Sequence, residues 1–257
     1  AVLSVQIFLG GWVSTNYAVL ACADFPGCNG SLNPQVDWAG GFAFARELGA
    51  SVLVPRYSRY LIDLNRPPEN APMYPGVNNT ELCPTRFFSG DALYKPGQEP
   101  DDAEANRRIR HYWRPYHDAL SDELQRLRVE HGHAVLFDGH SIRSQLPWLF
   151  PGRLWDLNLG TAEGRSCAPE LRLALATLLA GQTRYTQVVD GRFKGGHITR
   201  HYGRPEFGIH AVQLEMCWSC YLDEDDPQQP WRWSDARATQ VQPLLRQMLQ
   251  TILDWRP

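Results

Sequence analysis

Two short stretches carry residue types suited to acid–base or metal chemistry. Asp138-Gly139-His140-Ser141 closes one apolar run, and Glu215 follows another at 209–214. Imidazole carries protons or binds metals near neutral pH, and a carboxylate two positions away can orient it. Gly139 permits a sharp backbone turn that would aim the imidazole into a crevice. On these residues alone, His140 is either a metal ligand or a loop histidine with its hydrogen bonds satisfied. Glu215, at the end of an apolar strand, is partly desolvated, which raises a carboxylate toward the range of a useful general base. The competing account is a strand-end carboxylate paired with an arginine.

Two further stretches have the composition of an anion-binding surface. Residues 191–203 pack four glycines, two histidines and the cations Arg192, Lys194 and Arg200 into thirteen positions. Glycines let backbone amides approach a ligand closely, and the cations favour an anionic one; a basic surface hairpin needs fewer glycines. Residues 58–67 supply Arg59, Asp63, Asn65 and Arg66 directly after an apolar segment. An Asp63–arginine bridge would hold that loop and is compatible with ligand binding. Lys95 and Lys194 are the only two lysines among 25 basic residues. Arginine grips planar carboxylates through two parallel hydrogen bonds, whereas lysine is a point charge.

The elements that must position these groups follow from periodicity. Apolar spacing predicts helices over 39–48, 102–130, 169–180 and 236–253, with Gly49 stopping the first and Pro115 kinking or splitting the second. Short apolar runs predict strands over 50–55, 134–137, 185–189 and 209–214. Residues 58–100 are rich in Pro, Gly and Asn and read as a long ordered loop, the kind usually tied to function. Alternation of strand and helix implies an α/β fold, and polar groups at strand carboxyl ends face the ligand crevice in such sheets. Trp113 and Tyr116 read as core. His111, His117, His131 and His133 read as surface or packing residues, and Asp223-Glu224-Asp225-Asp226 as a solvated acidic loop.

Composition excludes several classes. The 257 residues suit one large domain spanning 1–257. A net charge of -3 carries no nucleic-acid footprint. The first 23 residues hold no charge, lack the basic start of a secretory signal, and include polar residues that a membrane span tolerates poorly; they read as buried strand and loop. Among six cysteines, Cys217 and Cys220 form a lone CxxC, without the second pair that a zinc ribbon needs. Reduced thiols in a cytoplasmic protein with a small-molecule partner are the expectation.

The motifs together resemble a known family, the N-formylglutamate deformylases. Ser58-Arg59-Tyr60 through Asn65-Arg66-Pro67 is similar to its SRY…D.NRP segment, and 138–144 to its D.HSIRS motif. Asn158-Leu159-Gly160-Thr161 resembles N.GT, 191–203 resembles GRFKGG…TRHYG, and Gln213-Leu214-Glu215 resembles QLE. The likeness runs collinearly over roughly residues 37–225. It implies a three-layer α/β/α sandwich with a mixed central sheet, similar to zinc carboxypeptidase-like hydrolases. It also implies a divalent metal such as zinc, and hydrolysis of N-formyl-L-glutamate to formate and L-glutamate, a step of histidine breakdown. Carried over by position, Glu215, His140 and Arg143 would be catalytic. Arg59, Asn65, Arg66, Arg192, Lys194, Thr199 and Arg200 would bind substrate, and His140 and Asp37 would ligate the metal. One departure stands out in residues 1–36. The family's PH.G histidine has no counterpart, because no histidine precedes His111 and Phe8-Leu9-Gly10-Gly11-Trp12 stands in its place. The acidic DTDW element survives as Gln35-Val36-Asp37-Trp38. A catalytic zinc usually takes three protein ligands. An active enzyme would then need a substitute, with Cys22, Cys28 and Asp24 as candidates. The alternative is a member that binds an acidic or N-acyl amino acid without hydrolysing it.

Overall fold

The computed structural model describes residues 3–7, 43–73, 76, 78–225 and 232–257. Its centre is a pair of nine-residue parallel strands, β3 (Ala134–Ile142) and β6 (Ile209–Cys217), in register from Ala134↔Ile209 to Ile142↔Cys217. Both strands are buried along nearly their whole length, as strands covered on two faces must be. Flanking them are β1 (Leu3–Ile7), β2 (Ser51–Leu53), β4 (Leu157–Gly160) and β5 (Gln187–Val189), in the order β2-β1-β3-β6-β4-β5. All neighbours are parallel except β4 and β6, so the sheet is mixed.

Successive side chains of a strand point to opposite faces, and here they feed two separate cores. Val135, Phe137, Val212 and Leu214 pack with helices α4 (Pro169–Ala180) and α6 (Asp235–Asp254), and Ala45 of α1 (Ala43–Glu47) joins them. Their neighbours Ala134, Leu136, Ile209 and Ala211 pack on the other side with Leu120, Leu124 and Leu127 of α3 (Arg114–His131). Ile198 of the short helix α5 (His197–Tyr202) lies on that second side. Helices on both faces of a mixed sheet make the three-layer α/β/α architecture that the motifs implied. No helix among the described residues is long and apolar enough to cross a membrane.

Several expectations change in detail. The helix over 102–130 is split into α2 (Asp102–Arg108) and α3 by a π-helical turn, Ile109–Trp113. Pro115 sits in the first turn of α3, where its missing N–H costs nothing, and the wide turn absorbs the break ahead of it. Strand β3 does not stop at Phe137, because β6 pairs with it as far as Ile142. Gly139 is therefore a strand residue, and strand alternation aims His140. Glu215 likewise lies inside β6. Gly49 ends α1 at φ +80, and β1 falls within the segment read as buried strand and loop. Residues 8–42 lie outside the described residues, and with them 39–42 of the first predicted helix. Strand β4 and helix α5 are elements that periodicity missed.

Trp113, Tyr116 and His117 are buried, as packing residues. Glu224 is not solvated: it is only 9% exposed.

Candidate functional site

The sheet assembles the site by parity. Asp138 and His140 share a face with Ala134 and Leu136, and Gln213 and Glu215 share it with Ile209 and Ala211. In the β3–β6 register, Asp138 stands opposite Gln213 and His140 opposite Glu215. Four polar side chains thus sit side by side on the α3/α5 face, near the carboxyl ends of both strands.

His140 Nε2 lies 2.9 Å from Asp138 Oδ1 and 3.1 Å from Asn65 Nδ2. Burial opposes a charge on this imidazole, but Asp138 and then Glu215 outweigh it, and the pKa of His140 is raised. Burial pushes Glu215 up to about 7 against the pull of His140, Arg59 and Arg66. A carboxylate in that range can take up and return a proton at neutral pH. Gln213 holds both neighbours in place. Its Oε1 accepts from Gly196 N at 2.7 Å, and its Nε2 donates weakly to Glu215 Oε2 at 3.5 Å.

The loop after β2 is organised by one buried carboxylate. Asp63 Oδ2 accepts from Arg59 Nη2 at 2.5 Å, and Asp63 Oδ1 accepts from Asn65 N at 2.9 Å. Burial alone would raise the pKa of Asp63; Arg59 and Arg66 more than offset it, and the group stays ionised. Arg66 is braced by Thr80 through Nε at 2.9 Å and Nη2 at 2.7 Å. Arg59 also lies 5.1 Å over the Phe88 ring. Asp63 therefore holds the loop without withdrawing the arginines from the pocket, which Arg59, Asn65 and Arg66 all line.

The glycine-rich stretch follows from close packing. A Cβ at Gly160 would meet Gly195 N at 2.6 Å, and one at Gly196 would meet Asn65 Nδ2 at 2.2 Å. These two approaches bring 193–196 against β4 and against the Asp63 loop. Asn158 Nδ2 donates to Phe193 O at 2.6 Å, and Asn65 Oδ1 accepts from Ile198 N at 2.9 Å in the first turn of α5.

The pocket brings together six of the expected site residues: Arg59, Asn65, Arg66, His140, Arg192 and Glu215. Three guanidinium groups face a floor of His140, Gln213 and Glu215, with Phe88, Ile142, Leu149, Phe150 and Phe193 as an apolar wall and Asn78 and Asn79 at the side. Arg192 is steered by Leu149 O at 2.7 Å and by the Phe150 ring at 5.8 Å. The other four lie elsewhere. Arg143 Nε is 3.8 Å from Glu224, and Lys194 bonds Glu163 at 2.7 Å near the surface. Thr199 Oγ1 donates to Asp138 at 3.4 Å from behind the site, and Arg200 sits on α5 outside the pocket lining. Asp37 lies outside the described residues, as do Cys22, Asp24 and Cys28. Sequence reasoning missed Gln213 as a site residue, though its two-residue spacing from Glu215 on one strand was a usable signal. The apolar wall comes largely from loops without periodicity and left none.

Among the described residues, no group of three or more His, Cys, Asp or Glu side chains is placed to hold a metal ion. Cys217 and Cys220 are buried free thiols that burial pushes far up, with their sulfurs turned to Trp155 O and Asp156 O, an inert arrangement.

A sequence profile of the N-formylglutamate amidohydrolase family matches residues 31–222. An N-formylglutamate deformylase of Pseudomonas putida is 49% identical over 224 residues, covering 86% of this chain and 82% of that protein. One from Pseudomonas aeruginosa is 46% identical over 214 residues, 83% and 79% of the two chains. The crystal structure of N-formylglutamate amidohydrolase from Ralstonia eutropha superposes with a TM-score of 0.71 at 20% identity, covering 98% of this chain and 94% of that one. A gene product of Agrobacterium tumefaciens gives 0.65 at 16%, over 97% and 90%; at these identities the two structures speak for the fold. Profile, relatives and the clustering of the shared motifs around one pocket agree that this chain belongs to the N-formylglutamate amidohydrolase family.

Proposed function

We propose that this chain hydrolyses N-formyl-L-glutamate to formate and L-glutamate. The observation that carries the proposal is Glu215, a buried carboxylate with its pKa near 7, set beside His140 beneath three arginines. A substrate with two carboxylates suits a pocket with several guanidinium forks. Of the three, Arg66 and Arg192 are assigned to the carboxylates. Arg59, which reaches toward Glu215 electrostatically, is assigned to the negative charge that grows on the formyl oxygen. Glu215 takes a proton from water as the new C–O bond forms at the formyl carbon. It returns that proton to the nitrogen as the C–N bond breaks, so formate and a free amine leave and the carboxylate is regenerated. The names of the two Pseudomonas relatives support the choice of substrate.

We extend the proposal to a divalent metal, zinc, with His140 and Asp37 as ligands. When bound, such an ion polarises a carbonyl and acidifies water. The described residues alone do not fit a three-ligand zinc site, since they supply His140 without a third partner, and the steps above are assigned to side chains only. The remaining ligands are assigned to the segment after β1, whose last residue Ile7 stands beside Gly139 in the sheet. The proposal places the reaction in histidine breakdown and in the cytoplasm. Its test is formate release from N-formyl-L-glutamate, with metal content measured on the same purified chain. Turnover with about one divalent ion per chain is expected. An inactive chain that binds the substrate would refute hydrolysis, and turnover that survives complete metal removal would refute the metal.

A further inference from the structure

We propose that Glu224 is a positioning residue, which fixes the spacing of His140 and Glu215 by tying together the two chain segments that leave β3 and β6. The inference rests on the hydrolytic reading above. The β3–β6 ladder ends at Ile142↔Cys217, so beyond those residues the two backbones no longer hold each other. Glu224 bridges them at that point. Its Oε1 accepts from Ser144 N at 2.6 Å and its Oε2 from Ser219 N at 3.1 Å. Ser144 lies four residues past His140, and Ser219 four residues past Glu215, so one carboxylate spans equivalent points on the two strands.

The same junction is reinforced twice. Arg153 donates to Ser144 Oγ at 2.8 Å and to Ser219 Oγ at 2.9 Å, joining the same pair through their hydroxyls. Tyr221, buried in the turn that carries Glu224, meets Ser141 Oγ at 2.6 Å, one residue beyond His140. A charged carboxylate accepting backbone N–H bonds is a strong and directional tie. Glu224 touches neither pocket nor substrate position, because it does not line the cleft. It acts through the strands, and an error of about 1 Å between reacting groups costs up to roughly a hundredfold in rate. Binding is set elsewhere, by arginines on the loops after β2 and β5.

The test uses the full chain and its Glu224→Gln and Glu224→Ala variants. Turnover of N-formyl-L-glutamate is measured alongside calorimetric binding of glutarate, a dicarboxylate with no bond to hydrolyse. A glutamine offers one acceptor oxygen and sets an N–H against the other N–H. E224Q is expected to lower kcat at least about tenfold while KM stays within about twofold. Glutarate should still fill one site per chain with unchanged affinity. Acetate, small enough for the space left in E224A, should restore part of the lost turnover. Unchanged kcat in E224Q overturns the inference. So does a kcat that falls only in step with the fraction of sites that bind glutarate, and so does failure of both variants to fold, because Glu224 would then be a folding residue. A wild-type chain without turnover would refute the hydrolytic reading and the inference with it, whereas active wild type with equally active E224Q would refute the inference alone.

Discussion

Gly196→Ala isolates the contact on which the site's assembly depends. Gly196 has φ -82 and ψ -165, an extended conformation open to any residue, so alanine meets no backbone strain there. What it meets is Asn65, with Nδ2 at 2.2 Å, Oδ1 at 2.4 Å and Cγ at 2.5 Å from the added carbon. Ordinary contact begins near 3.4 Å, so the overlap exceeds 1 Å and Asn65 must leave. It then gives up the bond from Ile198 N and the approach to His140. Overpacking a tight site costs about 1–3 kcal/mol, and a buried N–H without its acceptor costs about 1–3 kcal/mol more. Urea denaturation should therefore place G196A roughly 3 kcal/mol below wild type, with an unchanged slope. Asn65→Ala alone forfeits the Ile198 bond but no space, about 1–2 kcal/mol. The double variant removes both the methyl clash and its victim, and should be no less stable than N65A. The cycle then shows a coupling of about 3 kcal/mol, the whole cost of G196A. G196A within about 0.5 kcal/mol of wild type, or additive losses in the double variant, would refute the packing argument.

Glu215→Gln should cut formate release roughly a thousandfold, as loss of a general base does, with glutarate affinity kept; loss of binding in calorimetry would make Glu215 structural. Arg192→Lys should raise KM about tenfold, since lysine cannot reproduce the fork and one charged hydrogen bond is lost. The same change at Arg200, outside the pocket lining, should move KM less than about twofold, and a reversal of the two in steady-state kinetics would relocate the second carboxylate. Burial, helped by His197 and His201, lowers the pKa of His117 to about 3, and burial with His133 lowers that of His210 to about 4. Both folded values lie below the unfolded one, so the unfolded chain binds more protons between them. Their stabilisation is complete above about pH 6.5 and is lost as pH falls toward 4. Between pH 7 and pH 5 each costs about 2 kcal/mol. His117→Asn should remove about 2 kcal/mol of the stability lost between pH 7 and pH 5 in urea titrations, and an unchanged loss would remove His117 as a source.

How far the sequence disclosed the site follows from which residues obey a period. The 209–214 run ending at Glu215 and the 134–137 run ending before Asp138 were legible, because strands buried on both faces are continuous apolar runs. Their partnership was not, since a run says nothing of its neighbour; it took the register His140↔Glu215 to show that two motifs 75 positions apart form one floor. Gly139 suggested a turn that aims the imidazole, yet alternation along an unbroken strand does the aiming, and a glycine in a covered strand looks the same in either case. The glycines of 191–203 suggested backbone close to a ligand; Gly196 does line the pocket, and its close approach to Asn65, a side chain that the site uses, was not legible. Glu224 was hidden by its company, flanked by acids that belong to a charged surface run, because burial of one member of such a run depends on backbone N–H groups from segments 80 and 5 residues away. The residues easiest to read as chemistry were those whose neighbours in sequence are also their neighbours in space, as in Asp138–His140. Asp63, bonded to Arg59 and Asn65 beside it in the chain, was legible for the same reason, whereas Gln213, Gly196 and Glu224 owe their roles to partners brought in by the fold.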